Sequence, residues 1–333
     1  MQTGRLIIVL GALAIPGWAQ PSAAVAGPVT GFVFDTQLGA VRPMLGIPGA
    51  AYLGKVVATG MDAASIAPDG SAALAVERTG KLVLYGALRS GTPAALPITG
   101  AIAGADHFAW AANSATAAVY SSGAGQVQIL TSLAASPAAG APLDLAGLPG
   151  PVTALAFDGQ HLLIGVAAAT SGGIYVASAA SGPQLIAATA SPSAIVLAGN
   201  SLYFADSQSQ QIFQVQNYAG TPAATVFAND SSINSPAGLQ VSADGQRLYA
   251  ANAGNQKLGV YDIVSRSPGQ TLDLSFTPTR LDLFGDSSVF LMNGNGSGPL
   301  YVVRDGGAGK AAIYFVPVPR KARPVRPPVR PAF

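Results

Sequence analysis

The sequence predicts an all-β chain folded as a β-propeller of four-stranded antiparallel blades. Three observations predict it: a unit of about forty residues recurs along the body, each copy turns on Asp-Gly or an equivalent pair, and no long stretch shows helical 3.6-residue periodicity.

Each unit opens on an apolar strand, turns tightly and returns along a second apolar strand. The clearest copies are Ser65-Ile66-Ala67-Pro68-Asp69-Gly70 before Ala73-Leu74-Ala75-Val76, Leu155-Ala156-Phe157-Asp158-Gly159 before His161-Leu162-Leu163-Ile164, and Leu239-Gln240-Val241-Ser242-Ala243-Asp244-Gly245 before Arg247-Leu248-Tyr249-Ala250. Ala198-Gly199-Asn200 and Phe284-Gly285-Asp286 stand at the same turn in two further copies. A two-residue hairpin needs φ > 0 at its centre, which Gly adopts freely and Asn or Asp tolerates.

A third strand follows each hairpin, at 81–85, 126–130, 173–177, 211–215, 257–262 and 300–304, and a more variable fourth follows that. Units therefore begin near residues 61, 106, 151, 192, 236 and 278. Before them, Gly31-Phe32-Val33-Phe34 and Val41-Arg42-Pro43-Met44-Leu45 read as an incomplete further unit, so seven blades are expected; six blades with an accessory hairpin is the alternative. A partial unit at the N-terminus suits a ring in which both chain ends contribute to one blade and no sheet edge is left open.

The chain ends differ from this body. Arg5, the apolar run Leu6 to Ile15 and the small residues Gly17-Trp18-Ala19 read as an export signal over 1–19, with Ala24-Val25-Ala26 as a second site for cleavage. The apolar run is half the roughly twenty residues a spanning helix needs. Residues 20–319 form the propeller domain, and 320–333 form a Pro/Arg-rich tail expected to lack a fixed fold. An exported protein is expected, periplasmic or extracellular, with no transmembrane segment once the signal is removed.

Composition narrows the chemistry. With no cysteine, the chain has no disulfide, thiolate metal site or Cys nucleophile. There is a single Glu, Glu77, and most Asp residues fall in turns or at strand ends, where they cap backbone N–H groups. The two histidines, His107 and His161, each follow an acidic residue, Asp106 and Asp158, and a His-Asp couple is the catalytic candidate, Asp106 with His107 first. No Gly-x-Ser-x-Gly elbow and no phosphate-cradling Gly loop opening a helix is present, so neither nucleophilic catalysis nor a nucleotide cofactor is expected. Asn229-Asp230-Ser231-Ser232 and Asn293-Gly294-Asn295-Gly296-Ser297 are rich enough in oxygen for Ca²⁺, but neither reproduces the spaced D-x-D-x-D-G series; no metal or other cofactor is expected. The balance points away from an enzyme.

Ser242-Ala243-Asp244-Gly245-Gln246-Arg247-Leu248-Tyr249-Ala250-Ala251-Asn252-Ala253-Gly254-Asn255-Gln256-Lys257-Leu258-Gly259-Val260-Tyr261-Asp262 resembles one repeat of the YVTN family, a PDG hairpin ending in a V-x-V-I-D strand. Leu202-Tyr203-Phe204-Ala205-Asp206-Ser207-Gln208-Ser209-Gln210-Gln211-Ile212-Phe213-Gln214-Val215 is similar to the core of an NHL repeat, with Gln211 where that family carries a basic residue. The resemblance implies an extracytoplasmic propeller that presents a face to a protein, a sugar polymer or a small ligand, and it brings no fixed catalytic motif. Lactonase-type propellers gather Glu, Asp, Asn, His and Arg at a central channel, and this chain is poor in Glu and His.

The expected function is a binding scaffold for a protein or polysaccharide, acting as a monomer and not on nucleic acid. A sugar-lactone hydrolase is the alternative. Arg78, Tyr203, Asp206 and Asn252 each follow the second strand of their unit, occupy similar repeat positions and are the candidate ligand-binding set. Arg320, Lys321, Arg323, Arg326 and Arg330 of the tail are candidate contacts for an anionic polymer or a partner groove.

Overall fold

The computed structural model describes residues 27–294, 299–307 and 310–317. The expected export signal, Asn295 to Ser297 of one candidate calcium loop, and tail residues Arg320, Lys321, Arg323, Arg326 and Arg330 lie outside the described residues. Seven antiparallel sheets follow one another along the chain: blade 1 (29–59), blade 2 (61–97), blade 3 (107–144), blade 4 (152–188), blade 5 (192–228), blade 6 (236–273) and blade 7 (282–316). The only helix among the described residues is the single turn Leu88–Ser90.

The hairpins form where the turn chemistry demands them. Gly70, Gly159, Gly199, Gly245 and Gly285 have φ between 57° and 106°, the left-handed region that tight hairpins use and that a Cβ disfavours; the loops hold two residues in blades 4 and 5 and four in blades 2 and 6. In blades 2 to 7 the first strand runs from an upper face to a lower face. The upper face carries the blade-to-blade connections and the second-to-third turns; the lower face carries the first-to-second hairpins and the third-to-fourth loops.

Burial falls off outward along each sheet. The second strands Ala117–Ser121 and Leu162–Val166 are buried at every residue, whereas the fourth strand Ala94–Pro97 is exposed at every residue. A second strand has a strand on each side and a neighbouring blade over each sheet face, so both sets of alternating side chains are apolar. Seven buried clusters fill the ring, one between each pair of neighbouring blades. Small residues such as Ala118, Ala205 and Ala250, all fully buried, let neighbouring sheets approach closely.

Strands from the two chain ends are not seen to share one blade among the described residues, which leave out 1–26 and 318–333. Blade 7 draws all four of its strands from 282–316, and among the described residues no strand from one end joins the sheet of the other. Closure is by packing: Val33, Met44 and Leu53 of blade 1 meet Phe284, Val289, Leu300, Val302 and Val316 of blade 7. Blade 1 is the incomplete unit that the sequence indicated. It has Val29–Asp35 and Ala40–Leu45, and both short strands Tyr52–Leu53 and Ala58–Thr59 then pair with Ala40–Leu45.

Leu300→Ala at the closing interface and Leu162→Ala between blades 3 and 4 should each cost about 2–5 kcal/mol. Both should shift a single cooperative melting transition. A Leu300→Ala chain melting at the wild-type temperature would mean that the closing interface is not formed.

Candidate functional site

The expected ligand set does not form an open site. Asp206 is 1% exposed and Asn252 fully buried, and both are committed to backbone. Asp206 accepts from the N–H groups of Gln208 (2.7 Å) and Ser209 (2.8 Å) in its own turn, and from Ala190 and Ser191 (3.1 Å each) and the Thr189 hydroxyl in the connection leading into blade 5. Asn252 accepts from the Asn234 N–H (3.2 Å) and donates to the Ala250 carbonyl (3.1 Å). Each side chain ties the end of its second strand to the connection that leads into its blade. Arg78 alone of the upper-face set is exposed. Tyr203 belongs elsewhere: it is buried within its strand, and its hydroxyl accepts from Gln214 Nε2 near the lower face.

The Asp106–His107 pair is present on the upper face, with Nδ1 2.8 Å from Oδ1 and both side chains over a third exposed. Burial works to raise the Asp106 carboxyl, but hydrogen bonds from Ser122 and His107 outweigh it and hold the group below the ordinary carboxylate range. The Ser122 hydroxyl donates to the Asp106 carboxylate and not to the imidazole. A serine nucleophile needs its proton taken by histidine, so this arrangement fixes His107 without activating Ser122. Among the described residues, no three His, Asp or Glu side chains converge to hold a metal ion.

The lower face carries two clefts, one on each side of blade 5. The larger, about 570 Å³, lies between blades 5 and 6 and is lined by Ser201, Tyr203, Gln214, Gln240 and Ser242 among others. Here Gln214 donates to Tyr203 Oη (3.1 Å) and accepts from Arg266 Nη2 (2.8 Å). Burial raises the Tyr203 phenol, against the nearby Arg266, so the hydroxyl keeps its proton as a donor. The second cleft, about 370 Å³, lies between blades 4 and 5 and is lined by His161, Ser178, Ser181, Gln184 and Tyr218 among others.

Asp158 organises that second cleft. Its carboxylate accepts from the N–H groups of Gln160 and His161 (2.6 Å each), from His161 Nδ1 (2.9 Å) and from the Tyr218 hydroxyl (2.9 Å). Burial opposes ionisation of Asp158, but these donors together hold its carboxyl below the usual range. The carboxylate holds the Nδ1 edge of His161, leaving Nε2 free on a ring that lines the cleft. Tyr218, buried and beside that carboxylate, is pushed up to about 12. Tyr218, Gln184 and Gln214 were not singled out from the sequence. The one available signal was their place near the ends of third and fourth strands, where side chains reach the same face as the Asp-Gly hairpins.

No family model matches the chain, and no curated protein does. Similarity to solved structures is extensive in coverage and low in identity. A protein from Lactobacillus plantarum is 14% identical, with 87% of this chain and 95% of that one covered at a TM-score of 0.66. A provisionally assigned 6-phosphogluconolactonase from Bacteroides fragilis is 11% identical, covering 90% and 97% at a TM-score of 0.64. The WD40 repeats of RRP9 are 12% identical, covering 77% and 80% at a TM-score of 0.58. The chain is a seven-bladed β-propeller. At these identities the likeness establishes the propeller fold and carries no activity across.

Asp158→Ala should bring the Tyr218 phenol down from about 12, read as the absorbance titration that Tyr218→Phe removes. For Asp206, burial favours the neutral form, but bonds from Thr189, Ser209, Ser191 and Gln208 prevail and lower its pKa. It therefore adds stability above the unfolded value of about 3.9, and that stability is lost as pH falls through the lower folded value. Asp206→Asn should melt well below wild type at pH 6, and the gap should narrow below about pH 4.

Proposed function

We propose that this propeller is an exported binding module that recognises a protein or polysaccharide through its lower face, and that the two clefts flanking blade 5 favour a polysaccharide. The observation carrying this reading is the character of the two linings. Hydroxyls (Ser178, Ser181, Ser201, Tyr203), amides (Gln184, Gln214, Gln240) and one imidazole (His161) line neighbouring clefts on a single face. A neutral, hydroxyl-rich polymer is recognised by such donors and acceptors, held by a rigid scaffold and needing no compensating charge. Export rests on the leader-like residues 1–19, and the rigid scaffold is consistent with a monomer.

The lactone-hydrolase alternative draws on the likeness to the Bacteroides protein and on the Asp106–His107 pair. That pair lies on the opposite face from both clefts and has no activated nucleophile beside it.

Binding of soluble glycans, measured by calorimetry on the chain beginning at Gln20, should weaken at least about tenfold, or 1.4 kcal/mol, in Gln184→Ala or Gln240→Ala. Melting temperature should be unchanged, and Arg78→Ala on the upper face should bind as wild type. Loss of binding in Arg78→Ala alone would move the site to the upper face. Lactone turnover abolished by His107→Ala would replace the binding reading with the enzyme.

A further inference from the structure

The inner edge of blade 1 has no partner strand among the described residues: Val29–Asp35 is hydrogen-bonded to Ala40–Leu45 on one side only. That edge strand also runs the wrong way for a first strand. Near its start, the Val29 carbonyl accepts from Arg89 Nη1 (3.5 Å), whose Nη2 also binds the Asp69 carbonyl in the lower-face hairpin of blade 2. Beyond its end, the Gly39 carbonyl accepts from the Met61 N–H (3.2 Å), where the chain enters blade 2 on the upper face. Val29–Asp35 therefore runs from lower to upper face, as second strands do.

The turn chemistry agrees. Asp35 is 3% exposed and accepts from the N–H groups two and three residues on, Gln37 and Leu38 (3.1 Å each), as Asp206 does at the end of the second strand of blade 5. Four residues after Asp35, Asp206 and Asn252 stand Gly39 (φ 58°), Gln210 (φ 55°) and Gln256 (φ 54°), three turns of one conformation. Among the described residues, blade 1 thus has second, third and split outer strands and no first strand.

We propose that this edge is a strand-acceptor site and that its occupant is the chain's own segment Gln20 to Ala26. Gln20-Pro21-Ser22-Ala23-Ala24-Val25 matches Ser191-Pro192-Ser193-Ala194-Ile195-Val196, which opens the first strand of blade 5. Pro21 precedes Asp35 by fourteen residues, as Pro192 precedes Asp206. The segment supplies seven residues, the length of the strand Pro192–Ala198.

Its second residue type also fits the joints between inner strands. The Thr153 hydroxyl of blade 4 donates to the Pro192 carbonyl of blade 5 (2.5 Å), and the Ser193 hydroxyl of blade 5 to the Pro236 carbonyl of blade 6 (2.6 Å). Ser22 takes the place of Ser193 in the match, with blade 2 as its neighbour. The rival occupant is the C-terminal segment, which leaves blade 7 on the upper face, where first strands begin. It carries Pro319, Pro324, Pro327, Pro328 and Pro331, each lacking the N–H that a ladder uses. Cleavage after Ala19 would leave the closing strand on the mature chain, and cleavage after Ala26 would remove it.

The chain has no cysteine, so an introduced pair reports one contact. Residues opposed across an antiparallel pair lie about 4.5–5.5 Å apart at Cα, within disulfide reach. Cysteine at Val33 should cross-link under mild oxidation with cysteine at one or two of Ser22, Ala23, Ala24 and Val25, seen as a linked peptide by mass spectrometry. It should not cross-link with cysteine at Val318, Val325 or Val329. Cross-linking to the C-terminal positions, or to none, overturns the proposal. A second measurement is independent of the cysteines: amide exchange over 29–35 should quicken at least about tenfold in a chain beginning at Gly27, relative to one beginning at Gln20. Truncation after Pro317 should leave it unchanged. Equal protection in the chains beginning at Gly27 and Gln20 overturns the proposal as well.

Discussion

The ring depends on burying both faces of every sheet between its neighbours. A four-stranded sheet has two apolar faces at its second strand, and one blade alone cannot cover either. Each interface therefore supplies half the burial of two blades, and the closing contact between blades 1 and 7 is as necessary as any interior one. Leu300, Val302 and Val316 packed against Val33, Met44 and Leu53 form the apolar part of that contact, and the Gly285 turn abuts the Thr30 carbonyl beside it. The unpaired inner edge of Val29–Asp35 beside it is the place where backbone hydrogen bonding among the described residues stops short.

That constraint decides where recognition chemistry can reside. Residues at the ends of second strands are drawn into the ring, and their polar side chains are used to satisfy turn and connector N–H groups. Asp206 shows this most fully: five donors converge on one carboxylate, and the depressed pKa of that group is the electrostatic sign of a structural anchor. At the ends of third strands some polar groups still cap a turn, as Asp262 and Asp305 do, but others face the gaps between blades. There Gln184, Gln214 and Tyr218 line clefts that widen between blades 4, 5 and 6.

A perturbed pKa alone would not have separated these cases. Asp106, Asp158 and Asp206 all ionise more readily than usual for the same reason, several donors aimed at a partly buried carboxylate. Only for Asp158 does the network end on side chains, His161 and Tyr218, that border an open cleft. Geometry around the carboxylate, more than its titration, marks the difference between holding a turn and shaping a surface.

The sequence by itself determined the all-β propeller, the Asp-Gly hairpins, the blade starts and the incomplete first unit. These rest on local causes: φ > 0 at turn glycines and apolar strands of fixed period, which need no knowledge of neighbours. It also pointed to Asp206 and Asn252 as equivalent, which holds since both end the second strands of their blades, and as ligand-binding, where their burial instead commits both to backbone. Whether a polar side chain caps a backbone or faces a cleft depends on what the adjacent blade places over it. That neighbour is far away in sequence, and only the tertiary structure brings Tyr218 onto Asp158 across 60 residues and Arg266 onto Gln214 across 52.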